Sequence, residues 1–122
     1  MKYKDFNVTV HTSLPRTETG IQNTTPLTEY RPKEPLSNNI ISRYIASQPG
    51  QQFSIHVENE SDSDASVLFY VDGQMASCLL CYAKPKYNSV ICHGVQPRAG
   101  LLRKFVFRKV TLTGSLLSLK VE

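Results

Sequence analysis

The stretch QQFSIHVEN, residues 51–59, decides how the rest of the chain is read. Apolar and polar side chains alternate along it with a period of two, the signature of a half-buried strand. Phe53, Ile55 and Val57 share one face, and His56 points the other way, toward solvent or a second layer. FNVTVHT, residues 6–12, repeats the pattern, with Phe6, Val8 and Val10 on one face.

Working outward, IISRYIA (40–46) reads as another strand, ended by the turn SQPG, where Pro49 precedes Gly50. ESDSD (60–64) is an acidic loop. ASVLFYV (65–71) is a β-branched and aromatic run, and Asp72-Gly73 marks a tight hairpin turn into QMASCLLCYA. KPKYN reads as a loop, SVICHGV as a strand, QPRAGLL as a loop, RKFVFRKVTLT as the longest strand, and SLLSLKV as one more. In RKFVFRKVTLT the apolar phase shifts between Phe105 and Phe107 on one side and Val110 and Leu112 on the other, which places a β-bulge near Arg108. Residues 14–39 hold Pro15, Pro26, Pro32 and Pro35 among many Thr and Asn, so they read as a Pro/Thr-rich loop or insertion with one short strand near LTEY. No segment keeps a helical period. About eight strands at roughly ten-residue spacing predict an all-β chain: a single antiparallel β-sandwich, jelly-roll-like, spanning residues 1–122.

The composition sets bounds on class. A chain of 122 residues is one domain by size, and it is long enough to bury a core without disulfides. Its longest apolar runs, such as SVLFYV, are too short to cross a bilayer, so no membrane is expected. The start, MKYKDFNVTVHTSLP, carries basic residues but no apolar signal-peptide core, which favours an intracellular protein, cytoplasmic or nuclear. On that reading the glycosylation sequons at Asn7, Asn23 and Asn59 are chance matches. The net charge of +4 is mild, but it is unevenly spread. Lys84, Lys86, Arg98, Arg103, Lys104, Arg108 and Lys109 follow one another with no acidic residue between them, whereas Glu58, Glu60, Asp62 and Asp64 form an acidic run.

SCLLCYAKPKYNSVICHG, residues 77–94, holds all three cysteines and invites a metal or redox reading. The spacing argues against both. Cys78 and Cys81 differ by an odd number, and Cys92 and His93 are adjacent, so each pair faces opposite sides of a strand instead of converging on zinc. A redox pair would need a helix N-terminus to lower a thiol pKa, and no helix is expected here. The cysteines therefore read as small apolar packing residues, with Cys81 or Cys78 lining the core and Cys92 facing the opposite sheet, and no cofactor or metal is expected. His11, His56 and His93 fall in expected strands without a nucleophile motif, and ESDSD lacks the Gly and terminal Glu of a calcium loop. The chain reads as a non-enzyme.

PLTEY (26–30), YIASQPGQQFSIHVEN (44–59), VLFYVDGQ (67–74) and LLRKFVFRKVTLTG (101–114), in that order and spacing, resemble an uncharacterised domain family found mainly in fungal proteins. The resemblance implies a β-sandwich with no catalytic residues to carry over. The chain departs from the family pattern at Ala46, where a Pro is usual, and over Leu14 to Thr25, which looks like an insertion.

These readings converge on a non-catalytic protein-interaction or assembly module, its partner a protein or a second copy of itself. The candidate binding residues are Lys84, Lys86, Tyr87, Arg98, Arg103 and Lys104, because Arg and Tyr dominate interface energetics and loops carry recognition. An alternative is nucleic-acid binding through the basic 84–109 surface, with Phe105 and Phe107 as a stacking platform. A further alternative is a carbohydrate-binding jelly roll, against which the lack of Trp counts.

Overall fold

The computed structural model describes residues 2–13, 24–31, 40–84, 87–107 and 115–120. Among them are twelve strands and no helix. In chain order these are β1 (Lys2–Tyr3), β2 (Phe6–Ser13), β3 (Thr24–Pro26), β4 (Glu29–Tyr30), β5 (Ile40–Ile45) and β6 (Gln52–Asn59), followed by β7 (Ala65–Val71), β8 (Gln74–Cys81), β9 (Ser89–Cys92), β10 (Gly94–Arg98), β11 (Leu101–Val106) and β12 (Ser115–Lys120). The fold is all-β, and every pairing is antiparallel.

The two alternating strands lie side by side at the centre of the main sheet. β2 pairs with β6 from Phe6↔Asn59 to Thr12↔Phe53. On its other edge, β6 pairs first with β11 at Gln52 and Phe53, then with β9 from Ile55 to Glu58. β10 joins through a hairpin with β11, and β1 and β3 flank β2. β12, β5 and β4 form a second sheet in that order, and β7 and β8 form a hairpin of their own.

Register explains what is buried. Val8, Val10 and Thr12 of β2 and Ile55, Val57 and Asn59 of β6 all face inward, as a period of two requires. The inner face of the β7–β8 hairpin closes over them. Phe69 packs with Val8, Ile55, Val57, Cys92 and Phe105, and Val67, Val71, Ala76 and Leu79 press against the same cluster. This layering of hairpin on sheet is compatible with a sandwich. A second cluster joins Val10, Ile45 and Phe107. Phe53 bridges the two clusters, with its ring stacked 5.1 Å from Phe105 and 4.2 Å from Phe107.

Two local expectations change. SVICHGV and QPRAGLL are not a strand and a loop. They are β9, then β10 running on through Pro97 to Arg98, then a turn at Ala99 and Gly100 into β11. Pro97 is tolerated because β10 is the last strand in the sheet order, and Gly100, at φ 79°, takes the left-handed conformation of the turn. Between Thr24 and Tyr30 there are two short strands in place of one, and the Leu27 amide donates to the Val10 carbonyl at 2.8 Å, which ties this part of the Pro/Thr-rich stretch to β2. The bulge expected near Arg108 lies outside the described residues. Gly94 is buried where β10 meets β11. A Cβ there would lie 2.1 Å from the Arg103 carbonyl oxygen, so only glycine lets the two backbones approach this closely.

Candidate functional site

The Asp72-Gly73 turn is as expected: φ is 52° at Asp72 and 76° at Gly73, the pair of positive angles a type I′ hairpin needs. The turn aligns Ser66 with Leu80, Leu68 with Cys78 and Tyr70 with Met75 across the hairpin. These residues form the outer face, opposite Phe69. Leu68 is 55% exposed, Tyr70 60%, Met75 57% and Leu80 49%, and Cys78 is exposed among them. The hairpin therefore presents one apolar face to the core and a second to solvent. Among the described residues, β7 and β8 pair only with each other.

The base of the hairpin is fastened by Asn59, whose side chain is fully buried. Its Nδ2 donates to the carbonyls of Ser63 at 2.9 Å and Cys81 at 3.3 Å, and its Oδ1 accepts from the Ser61 amide at 2.9 Å and the Ser61 hydroxyl at 2.6 Å. The Asp64 carboxylate accepts from the Ala83 amide at 2.8 Å. The acidic run thus doubles as a clamp holding β6, β7 and β8 in register. With its amide committed, Asn59 presents no acceptor site for a glycan in the folded chain.

The candidate basic residues fall in separate places. Lys84 lies at the clamp end of β6, with its ammonium 3.6 Å from the Glu60 carboxylate, and Tyr87 is 93% exposed in the same connection. Lys86 lies outside the described residues. Arg98 sits at the β10–β11 turn, and Arg103 and Lys104 are exposed on β11, paired with Val95 and Gly94. As neighbours on one strand, Arg103 and Lys104 face opposite sides. β11 meets β6 at Gln52 and Phe53, the end away from Lys84. Phe105 and Phe107, the rings of the stacking-platform reading, are 7% and 8% exposed and belong to the core.

The outer face of the main sheet carries a feature that sequence reading missed. Thr9 pairs with His56 and His11 with Ser54, so the two histidines stand diagonally across β2 and β6. Their rings stack 3.8 Å apart at 14°. Each ring Nε2 lies 3.0 Å from the hydroxyl two residues before it, Thr9 for His11 and Ser54 for His56. Burial lowers the His56 pKa to about 4, reinforced by the like charges of His11 and His93, and burial lowers that of His11 as well. At neutral pH the pair is uncharged.

The cysteines separate as their spacing implies: Cys81 is fully buried and Cys78 exposed on opposite faces of β8, while Cys92 joins the core cluster of Val8 and Phe69. Burial raises the pKa of both Cys81 and Cys92, so neither is a ready thiolate. No group of three or more His, Cys, Asp or Glu side chains among the described residues is placed to hold a metal ion.

These features define an all-β domain with a polar outer face on the β2–β6 pair and an exposed apolar face on the β7–β8 hairpin. Residues 20–118 match the model of the Domain of unknown function (DUF7918), and the chain belongs to that family. The family is uncharacterised, in keeping with the resemblance read from its strand motifs. No curated protein and no solved structure matches the chain.

Proposed function

We propose that the chain is a non-catalytic protein-interaction module whose working surface is the outer face of the β7–β8 hairpin. One observation carries this reading: Leu68, Tyr70, Met75 and Leu80 are about half exposed side by side. They amount to an apolar patch on the order of 500 Å², at the upper end of what soluble monomers leave uncovered. The sequence pattern supports it, since the near-continuous apolar runs SVLFYV and SCLLCY are what strands covered on both faces carry. Aromatic residues and Met are enriched in interfaces. An intracellular setting accords with three free thiols and with the enclosed Asn59 amide. No helix among the described residues is long and apolar enough to cross a membrane.

The test is cross-linking in the native cell with the parent, Leu68→Asp, and the double variant Arg103→Glu with Lys104→Glu. Polypeptide partners lost from Leu68→Asp and kept by the basic double variant are expected. No polypeptide cross-linked by the parent, or partners lost only from the basic variant, overturns the reading.

A further inference from the structure

Resting on that surface assignment, we infer that the occupant of the β7–β8 outer face is a second copy of the same chain, packed hairpin on hairpin about a two-fold axis. Area is the first argument. Two such patches together bury on the order of 1,000 Å², the floor for a specific interface, and Ser66 lies at their rim. Interfaces at that low end of the size range belong to the transient, reversible class.

Charge is the second argument. Between Ala65 and Ala83 the sole ionisable acid or base other than Cys and Tyr is Asp72, out at the turn. A charged partner would find nothing to pair with across the face, whereas a second copy brings an equally neutral surface and sets no like charges opposite one another. Self-complementarity is the third. A two-fold contact must match one patch to itself, and sheet faces of Leu, Tyr and Met interdigitate at the spacing of about 10 Å seen between packed sheets. The Leu68–Cys78 pair is the middle rung of the exposed ladder, flanked by Ser66–Leu80 and Tyr70–Met75. The axis therefore passes near Cys78, which brings the two exposed thiols of the dimer close together.

The experiment is sedimentation velocity over a concentration series from low to several hundred micromolar, on the reduced parent chain, Leu80→Asp and Tyr70→Asp. It runs alongside thiol bridging with a short bis-maleimide and binding of an apolar fluorescent dye. A reversible monomer–dimer equilibrium in the parent is expected, weakened at least tenfold in both variants, with Cys78 of one copy bridged to Cys78 of the other. Both substitutions are at exposed positions, and circular dichroism confirms that each variant folds. A monomer at every concentration, or a dimer that survives both substitutions, overturns the inference. Dye binding separates the two levels of the argument. A monomeric parent that binds dye, with variants that do not, keeps the surface and rejects the second copy. A monomeric parent that binds no dye rejects both.

Discussion

The β2–β6 pair and the β7–β8 hairpin are both antiparallel pairs of seven- or eight-residue strands, yet one divides its apolar and polar side chains between two faces and the other does not. β2 and β6 alternate strictly, so their inner face is Val8, Val10, Ile55 and Val57 and their outer face is Thr9, His11, Ser54 and His56. The hairpin places apolar side chains on both sides: Phe69 and Leu79 inward, Leu68, Tyr70, Met75 and Leu80 outward. The lesson is that binary pattern reports how many faces of a strand are covered in the working state. A strand pair that alternates is complete by itself. A strand pair that does not alternate points to another layer.

The most severe way to break the β2–β6 region is at its inner face. Phe107→Ala removes the ring that stacks on Phe53 and joins Val10 to Ile45, and should cost about 3–5 kcal/mol of unfolding free energy in chemical denaturation, as core aromatic truncations do. By contrast, Leu80→Asp on the open face of the hairpin should leave the monomer's stability nearly unchanged. If both variants lose several kcal/mol, the hairpin's outer face is as closed as the sheet's inner one and the contrast disappears.

The outer face of the main sheet yields to pH. His56 has a folded pKa of about 4 against an ordinary 6.5, so below 6.5 the unfolded chain takes up a proton that the folded chain refuses. The stability tied to this group is thus full above about pH 6.5 and is lost progressively as the pH falls toward 4. Solvent screens this partly buried ring, so the loss is on the order of 1 kcal/mol. Thermal unfolding between pH 7.5 and 4.5 should show the decline, and His56→Gln should flatten it. An unchanged slope in that variant would assign the dependence to other groups.

The smallest effect is expected from the basic hairpin. Arg103→Glu with Lys104→Glu alters two exposed side chains on opposite faces of β11, and thermal unfolding should move by about 0.5 kcal/mol or less. A larger loss would show that β11 depends on those charges for its pairing with β10.

Much of this architecture was legible in the residues. Alternation located β2 and β6, and the Asp-Gly pair located the β7–β8 turn. The odd spacing of Cys78 and Cys81 separated their faces. The β9–β10 break was not legible, because Pro97 reads as a loop residue until the strand carrying it is known to lie at a sheet edge. The His11–His56 stack depends on cross-strand register, which places Thr9 opposite His56, and no local pattern encodes that. The basic residues lie close together in sequence, but Lys84 stands beside Glu60 past one end of β6, whereas Arg103 is on β11, which meets β6 at its other end. The signal for the proposed surface is the unbroken run SVLFYV, which reads first as core.

Gly94 carries a consequence for sequence drift. A single added carbon there would stand 2.1 Å from the Arg103 carbonyl oxygen, at the junction where β10 leaves β9 and pairs with β11. Gly73, by contrast, has nothing within 4 Å of where its Cβ would lie, and needs only a residue content at φ 76°. Asparagine and aspartate satisfy that second demand and nothing with a side chain satisfies the first. As sequences of this family diverge, the glycine of the hairpin turn should therefore exchange with Asn or Asp, while the glycine of the strand crossing stays fixed. An alignment would then mark this crossing by an invariant residue with no chemistry of its own.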